Sequence, residues 1–343
     1  MRLLSKACVA VTFVLTTAVG CTDSDDDAAP DPSPSATSGA ATGTPPPSAD
    51  PSTEPPEPVS IPGLIARDHT GTDLRLGDVR SRTDAYTQYA VTYRANGVTV
   101  SGIMNIPTGD GPFPALVLAH GYIDPAEYTT GRGLTREQEL LAENGYVVLH
   151  TDYRNHAGSD DDPDNDRNLR LGYTEDVIGA VLALRGSGRP EIDAERIGLL
   201  GRSMGGGVVY NTLAVAPGLV DAAVVFAPVS ARPEENFAQF QQGDPLVDEI
   251  EAQYGTPQEN PAFWREASPL TYVDRVTEPL LIHHGTEDTS CPIEWSEETA
   301  AAFEEAGKDV ELRTYEGEGH AFYGQWPDSM EVTMEFFEEN LSQ

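Results

Sequence analysis

Ser203 lies in Gly201-Arg202-Ser203-Met204-Gly205, between an apolar run from Ile197 to Leu200 and a helix-compatible stretch from Val208 to Ala216. Strand, tight turn and helix with a serine at the apex present a hydroxyl at the mouth of a sheet, beside unpaired helix N-terminal amides. The turn crowds the serine backbone against its neighbours, so only small residues fit at 201 and 205. The chemistry of such a hydroxyl is nucleophilic attack on a carbonyl. That needs a base to take the proton, a carboxylate to orient the base, and donors for the developing oxyanion.

The base is expected at His320, in the glycine-rich run Gly317-Glu318-Gly319-His320 just after the last strand-like segment. The acid is expected at Asp288, in His284-Gly285-Thr286-Glu287-Asp288, with the adjacent Glu287 as an alternative. Its carboxylate would accept the imidazole Nδ1–H, fixing the tautomer and stabilising the imidazolium. His283 and His284 close the strand that leads into this loop, which suits them to holding it rather than to acting as base. One oxyanion donor is the backbone N–H of Met204. The second comes from Ala119-His120-Gly121-Tyr122, with the Tyr122 backbone N–H preferred and its phenol as the other option. His120 reads as a structural residue of that loop.

These loops need strands beneath them. Residues 89–94 and 98–103 are strand-like, and Asn96-Gly97 between them signals a hairpin. Residues 115–119, 146–151, 197–200, 222–226, 279–283 and 310–315 read as further strands. Helix-like stretches at 134–144, 173–185, 208–216, 294–306 and 329–341 separate them. An antiparallel entry followed by repeated βα units predicts a mostly parallel, doubly wound sheet with helices on both faces. Residues 231–270 break the rhythm with proline, glutamate, glutamine and aromatics, and predict a helical insertion that covers the sheet as a lid or substrate-binding cap.

The N-terminus has a different character. Arg2 and Lys6 precede an apolar run from Ala7 to Val19 of signal-peptide length, and Ala18-Val19-Gly20-Cys21 resembles a bacterial lipobox. Residues 1–20 are therefore expected to be a lipoprotein-type signal and Cys21 the lipidated N-terminus; an ordinary secretory signal is the alternative. Residues 21–60 are acidic and rich in Pro, Ser and Thr, the composition of a disordered tether. The globular catalytic domain is expected over 61–343. Within it Cys291 is the sole cysteine, read as a small side chain in the acid loop, so no intrachain disulfide is expected there. The chain carries 21 Lys and Arg against 56 Asp and Glu, a formal charge of −35, which argues against nucleic acid or an anionic surface as partner.

Taken together, Leu118-Ala119-His120-Gly121, Asp152-Tyr153-Arg154, Gly201-Arg202-Ser203-Met204-Gly205-Gly206, the Asp288 loop and the His320 loop resemble the catalytic domain of the prolyl oligopeptidase family, over about residues 85–343. The resemblance implies an α/β-hydrolase fold with Ser203, Asp288 and His320 as a triad. The larger peptidases of that family carry an N-terminal β-propeller that filters substrates by size, and residues 22–84 are too few to make one. Short peptide or acyl-amide and carboxylic ester substrates both remain open, and no cofactor is expected. An inactive surface-binding lipoprotein on the same scaffold is the rival from another class. Ser159 to Asn168 packs five aspartates, and Asp162, Asp164 and Asp166 at alternate positions form a candidate Ca²⁺ loop. It lacks the glycine and the terminal glutamate of an EF-hand, so a solvated acidic loop is the favoured reading.

Overall fold

The computed structural model describes residues 55–342. The expected signal segment, Cys21 and the tether as far as residue 54 lie outside the described residues. The globular part starts slightly earlier than composition suggests. Val59 and Ser60 are buried, and the Ser60 hydroxyl caps a short helix α1 (Ile61–Ile65) by accepting from the Gly63 N–H at 3.0 Å.

Three antiparallel strands open the sheet: β1 (Gly71–Arg82), β2 (Tyr86–Ala95) and β3 (Val98–Pro107). The β2–β3 turn has Asn96 at φ 47° and Gly97 at φ 88°, the left-handed pair that a two-residue hairpin requires. β1 is not expected from the sequence. It is an outer strand exposed along most of its length, so no apolar alternation marks it.

The βα units come next, in order: β4 (Phe113–Ala119), α2 (Thr135–Glu143), β5 (Val147–Thr151), α3 (Gly172–Gly186), β6 (Ile192–Arg202), α4 (Met204–Val215) and β7 (Ala222–Phe226). Residues 231–270 hold only helices, α5 (Pro233–Phe240), α6 (Pro245–Tyr254) and α7 (Pro261–Ala267), each with proline in its first turn. The chain closes with β8 (Leu280–Gly285), α8 (Ile293–Glu305), β9 (Val310–Tyr315) and α9 (Trp326–Leu341).

All nine strands form one sheet in the order β1-β2-β3-β5-β4-β6-β7-β8-β9, parallel from β5 to β9. Alternation along each strand feeds two cores. In β4, Ala115, Val117 and Ala119 pack with α3 and α4, while Leu116 and Leu118 face α2 and α9. This is the α/β-hydrolase architecture. The register sets Ala119 opposite Gly201, Arg202 opposite Phe226, and Gly285 opposite Tyr315. The loops carrying Tyr122, Ser203, Asp288 and His320 thus all leave the same, C-terminal, edge of the sheet.

Candidate active site

Ser203 joins β6 to α4 at φ 55° and ψ −121°, a strained conformation for a residue with a side chain. Backbone packing enforces it. A Cβ at Gly205 would lie 1.9 Å from the Ala119 carbonyl oxygen, and one at Gly201 would lie 2.4 Å from that of Gly205. The Ser203 N–H donates to the Phe226 carbonyl at 3.0 Å, and its own carbonyl accepts from Gly206 and Val229. Nothing larger than glycine fits either side of the turn.

Asp288 and His320 are brought together from the ends of β8 and β9. His320 Nδ1 donates to Asp288 Oδ2 at 2.7 Å. The other carboxylate oxygen accepts from the Ser290 and Cys291 N–H groups at 2.8 and 2.9 Å. Burial by itself raises the Asp288 carboxyl, but hydrogen bonds from His284, His320 and Cys291 outweigh it and hold the group well below the usual carboxylate range. His284 is fully buried and holds this loop, with Nδ1 on the Ser296 hydroxyl at 2.6 Å and Nε2 on the Cys291 carbonyl at 2.9 Å. Glu287, the alternative acid, is exposed and contributes only its N–H, to the Glu318 carbonyl.

The Ser203 hydroxyl makes no hydrogen bond to His320 among the described residues. It adjoins the buried Cys291 thiol, whose pKa burial pushes up to about 12, with Asp288 adding to the rise and the Ser203 hydroxyl opposing it. Such a thiol stays protonated and unreactive at neutral pH. Nucleophile–base contacts are commonly long without substrate and tighten when it binds.

The imidazole loop is fastened to the serine turn by residues that no motif spacing singles out. Arg202 Nη1 donates to the Ala321 carbonyl at 3.2 Å, and Arg136 Nη1 to that of Phe322 at 3.0 Å. Both arginines converge on the buried Glu137, which accepts from Arg202 at 2.6 Å, Arg136 at 2.9 Å and Trp326 Nε1 at 2.9 Å. Glu318 then closes the loop from inside, accepting from the N–H groups of Tyr323 and Gly324 at 2.9 and 2.8 Å. Burial raises the Glu318 carboxyl, and these backbone donors more than reverse it.

Gly121 packs its Cα against Ser203, where an added Cβ would stand 3.1 Å from the serine Cβ. The next N–H, of Tyr122, and that of Met204 at the start of α4 have no hydrogen-bond partner among the described residues. The Tyr122 ring is 53% exposed, with the Arg170 guanidinium 4.7 Å from its centroid. Behind this loop His120 is fully buried, 2.7 Å from the Gly121 carbonyl through Nδ1 and stacked on Tyr128 at 4.6 Å. Burial lowers its pKa to about 4.

A cavity of about 420 Å³ opens beside Ser203. It is lined by Met204 and Val208 of α4, by Leu169, Arg170 and Val229, and by Phe237 and Phe240 of the helical insertion. Leu169 and Arg170 are both held in left-handed conformations, at φ 54° and 57°.

In the candidate Ca²⁺ loop the three aspartates lie beside arginines. Asp162 pairs with the buried Arg154 at 3.0 Å and Asp166 with Arg170 at 2.7 Å, while Asp164 lies 3.8 Å from Arg167. Asp162 also accepts from the Asp164 N–H at 3.2 Å, and among the described residues no group of three acidic, histidine or cysteine side chains could hold a metal ion.

Residues 133–343 match the family model described as "Prolyl oligopeptidase family". The chain is 27% identical over 276 residues to the uncharacterized peptidase YuxL of Bacillus subtilis (strain 168), an alignment covering 78% of this chain and 40% of that one. Among solved structures it resembles the acylaminoacyl peptidase of Pyrococcus horikoshii, at TM-score 0.60 and 23% identity over 75% of this chain and 42% of that one. It also resembles acetyl xylan esterase 1 from Thermoanaerobacterium sp. JW/SL YS485, at TM-score 0.60 and 20% identity over 83% and 94%. The chain thus spans about two-fifths of the peptidases' length.

The buried histidines make the fold acid-labile. His120 is lowered to about 4, and His283, through burial with Arg313 and Arg202 nearby, to about 3. Unfolded, both take up protons below about pH 6.5. The unfolded state then binds more protons than the folded one, so stability is full above pH 6.5 and declines as the pH drops toward 4, by about 1.4 kcal/mol per pH unit for each histidine. Urea midpoints at pH 7, 6 and 5 should fall in that order; equal midpoints would contradict it.

Proposed function

Because the chain belongs to the prolyl oligopeptidase family, we propose that it is a serine hydrolase cleaving an ester or amide bond of a small acyl substrate through a Ser203–Asp288–His320 triad. The observation that carries this reading is the 2.7 Å His320–Asp288 hydrogen bond at the sheet edge where the strained Ser203 turn also emerges. Ser203 Oγ attacks the carbonyl carbon while its proton passes to His320 Nε2. Asp288 accepts the Nδ1–H and stabilises the imidazolium. The Met204 and Tyr122 N–H groups, both unpaired, take the oxyanion. The tetrahedral intermediate collapses as His320 returns the proton to the leaving oxygen or nitrogen. Water, deprotonated by the same imidazole, then releases the acid from Ser203.

The cavity of about 420 Å³ suits one acyl group or side chain, in keeping with short substrates. YuxL carries the word peptidase in its name, and an acyl-enzyme route serves amides and esters alike. We propose further that the protein is exported and anchored through a lipid on Cys21, on the strength of the basic start, the apolar run from Ala7 to Val19 and the small residues before the cysteine.

A fluorophosphonate probe should label the wild type and leave Ser203→Ala unlabelled; labelling that survives in Ser203→Ala would overturn the assignment of the nucleophile. With an activated ester, Asp288→Asn should lower kcat by about 10⁴-fold through the wrong imidazole tautomer, and a loss under tenfold would contradict its role. Cys21→Ser should shift the protein from membranes to the medium. Unchanged partitioning would refute the anchor.

A further inference from the structure

Helix α4 turns one face to the cavity: Met204, Gly207, Val208 and Asn211, at i, i+3, i+4 and i+7, all line it. Asn211 stands about 10 Å along the axis from Met204, at 1.5 Å per residue. The apolar Val208, Val229 and Phe237 line the cavity with them. Asn211 interrupts this apolar lining, and its side-chain amide has no hydrogen-bond partner among the described residues. From the insertion, Gln241 lines the same cavity, and its side-chain amide likewise has no hydrogen-bond partner among the described residues. The hydroxyl of the buried Tyr173, which also lines the cavity, is a third polar group without a hydrogen-bond partner among the described residues.

Several other polar side chains of the cavity are committed elsewhere. Asn236 is tied to the Ser230 backbone at 3.0 and 2.8 Å, and Asp244 caps α6 at 2.9 Å. Arg170, the cavity's cation, is neutralised by Asp166 at 2.7 Å. The Asn211 and Gln241 amides are neutral, and each carries both a donor and an acceptor.

We propose that Asn211 and Gln241 are specificity-determining residues that select an acyl group with a neutral amide beyond a short apolar stem, rather than a plain alkyl chain. This rests on Ser203 being the nucleophile. A pocket built to hydrogen-bond its ligand discriminates strongly against an analogue that leaves its polar groups unpaired.

The test compares two p-nitrophenyl esters of equal chain length, 4-acetamidobutanoate and heptanoate, with the acetate ester establishing turnover. The expected kcat/KM ratio in the wild type is about tenfold or more in favour of the amide, falling to about one in Asn211→Leu. A wild-type ratio of one or less, with the acetate ester turned over, overturns the selectivity and leaves the hydrolase reading standing. No turnover of any of the three overturns both. Should Asn211→Leu fail to fold, Gln241→Leu, at the C-terminal end of α5, provides the same comparison, and an unchanged ratio there counts against the proposal.

Discussion

A single buried carboxylate holds the two halves of the site together. Glu137, 1% exposed on α2, receives Arg202 from the serine turn, Arg136 from its own helix and Trp326 from α9. Both arginines also reach carbonyls just beyond His320. One negative charge thus fixes the position of the imidazole loop relative to the serine. Buried ion pairs of this kind add little net stability, but losing one partner strands the other charges at a cost of about 3–5 kcal/mol. Their use here is geometric, since a misplacement of about 1 Å is enough to lose much of the advantage of orientation.

The second constraint is backbone against backbone. Gly205 approaches the Ala119 carbonyl and Gly121 approaches Ser203 so closely that side chains are excluded. That contact places the Tyr122 and Met204 N–H groups on one side of the serine. The strain at Ser203 is sustained by the two cores above and below the sheet, which fix β4, β6 and β7 in register. Local strain at the turn therefore depends on global packing, and the placement of the Tyr122 and Met204 N–H groups depends on both.

The fold is largely legible in the sequence because the parallel strands are short apolar runs separated by amphipathic helices, and Asn96-Gly97 announces its own turn. β1 is not, since an outer strand exposed along most of its length has no periodicity to read. At the site, Ser203, Asp288 and His320 stand out because each follows a strand, in the chain order of the α/β-hydrolase fold. Glu137, Arg202 and Glu318 do not stand out. They act through contacts between residues far apart in sequence, and a lone charged residue in a helix or loop looks the same whether solvated or buried. The pairing of the aspartates in the 160–166 loop is likewise hidden, because the arginines that neutralise Asp162 and Asp166, Arg154 and Arg170, lie outside the cluster.

A nucleophilic Ser203 requires a covalent acyl intermediate on its oxygen. Rapid mixing with p-nitrophenyl acetate, acid quenching and peptide mapping by mass spectrometry detect it directly. The expected result is a burst of p-nitrophenol close to one equivalent per enzyme, with one acetyl group on the peptide containing Ser203. Turnover without a burst, or an acetyl group on any other residue, would contradict the triad.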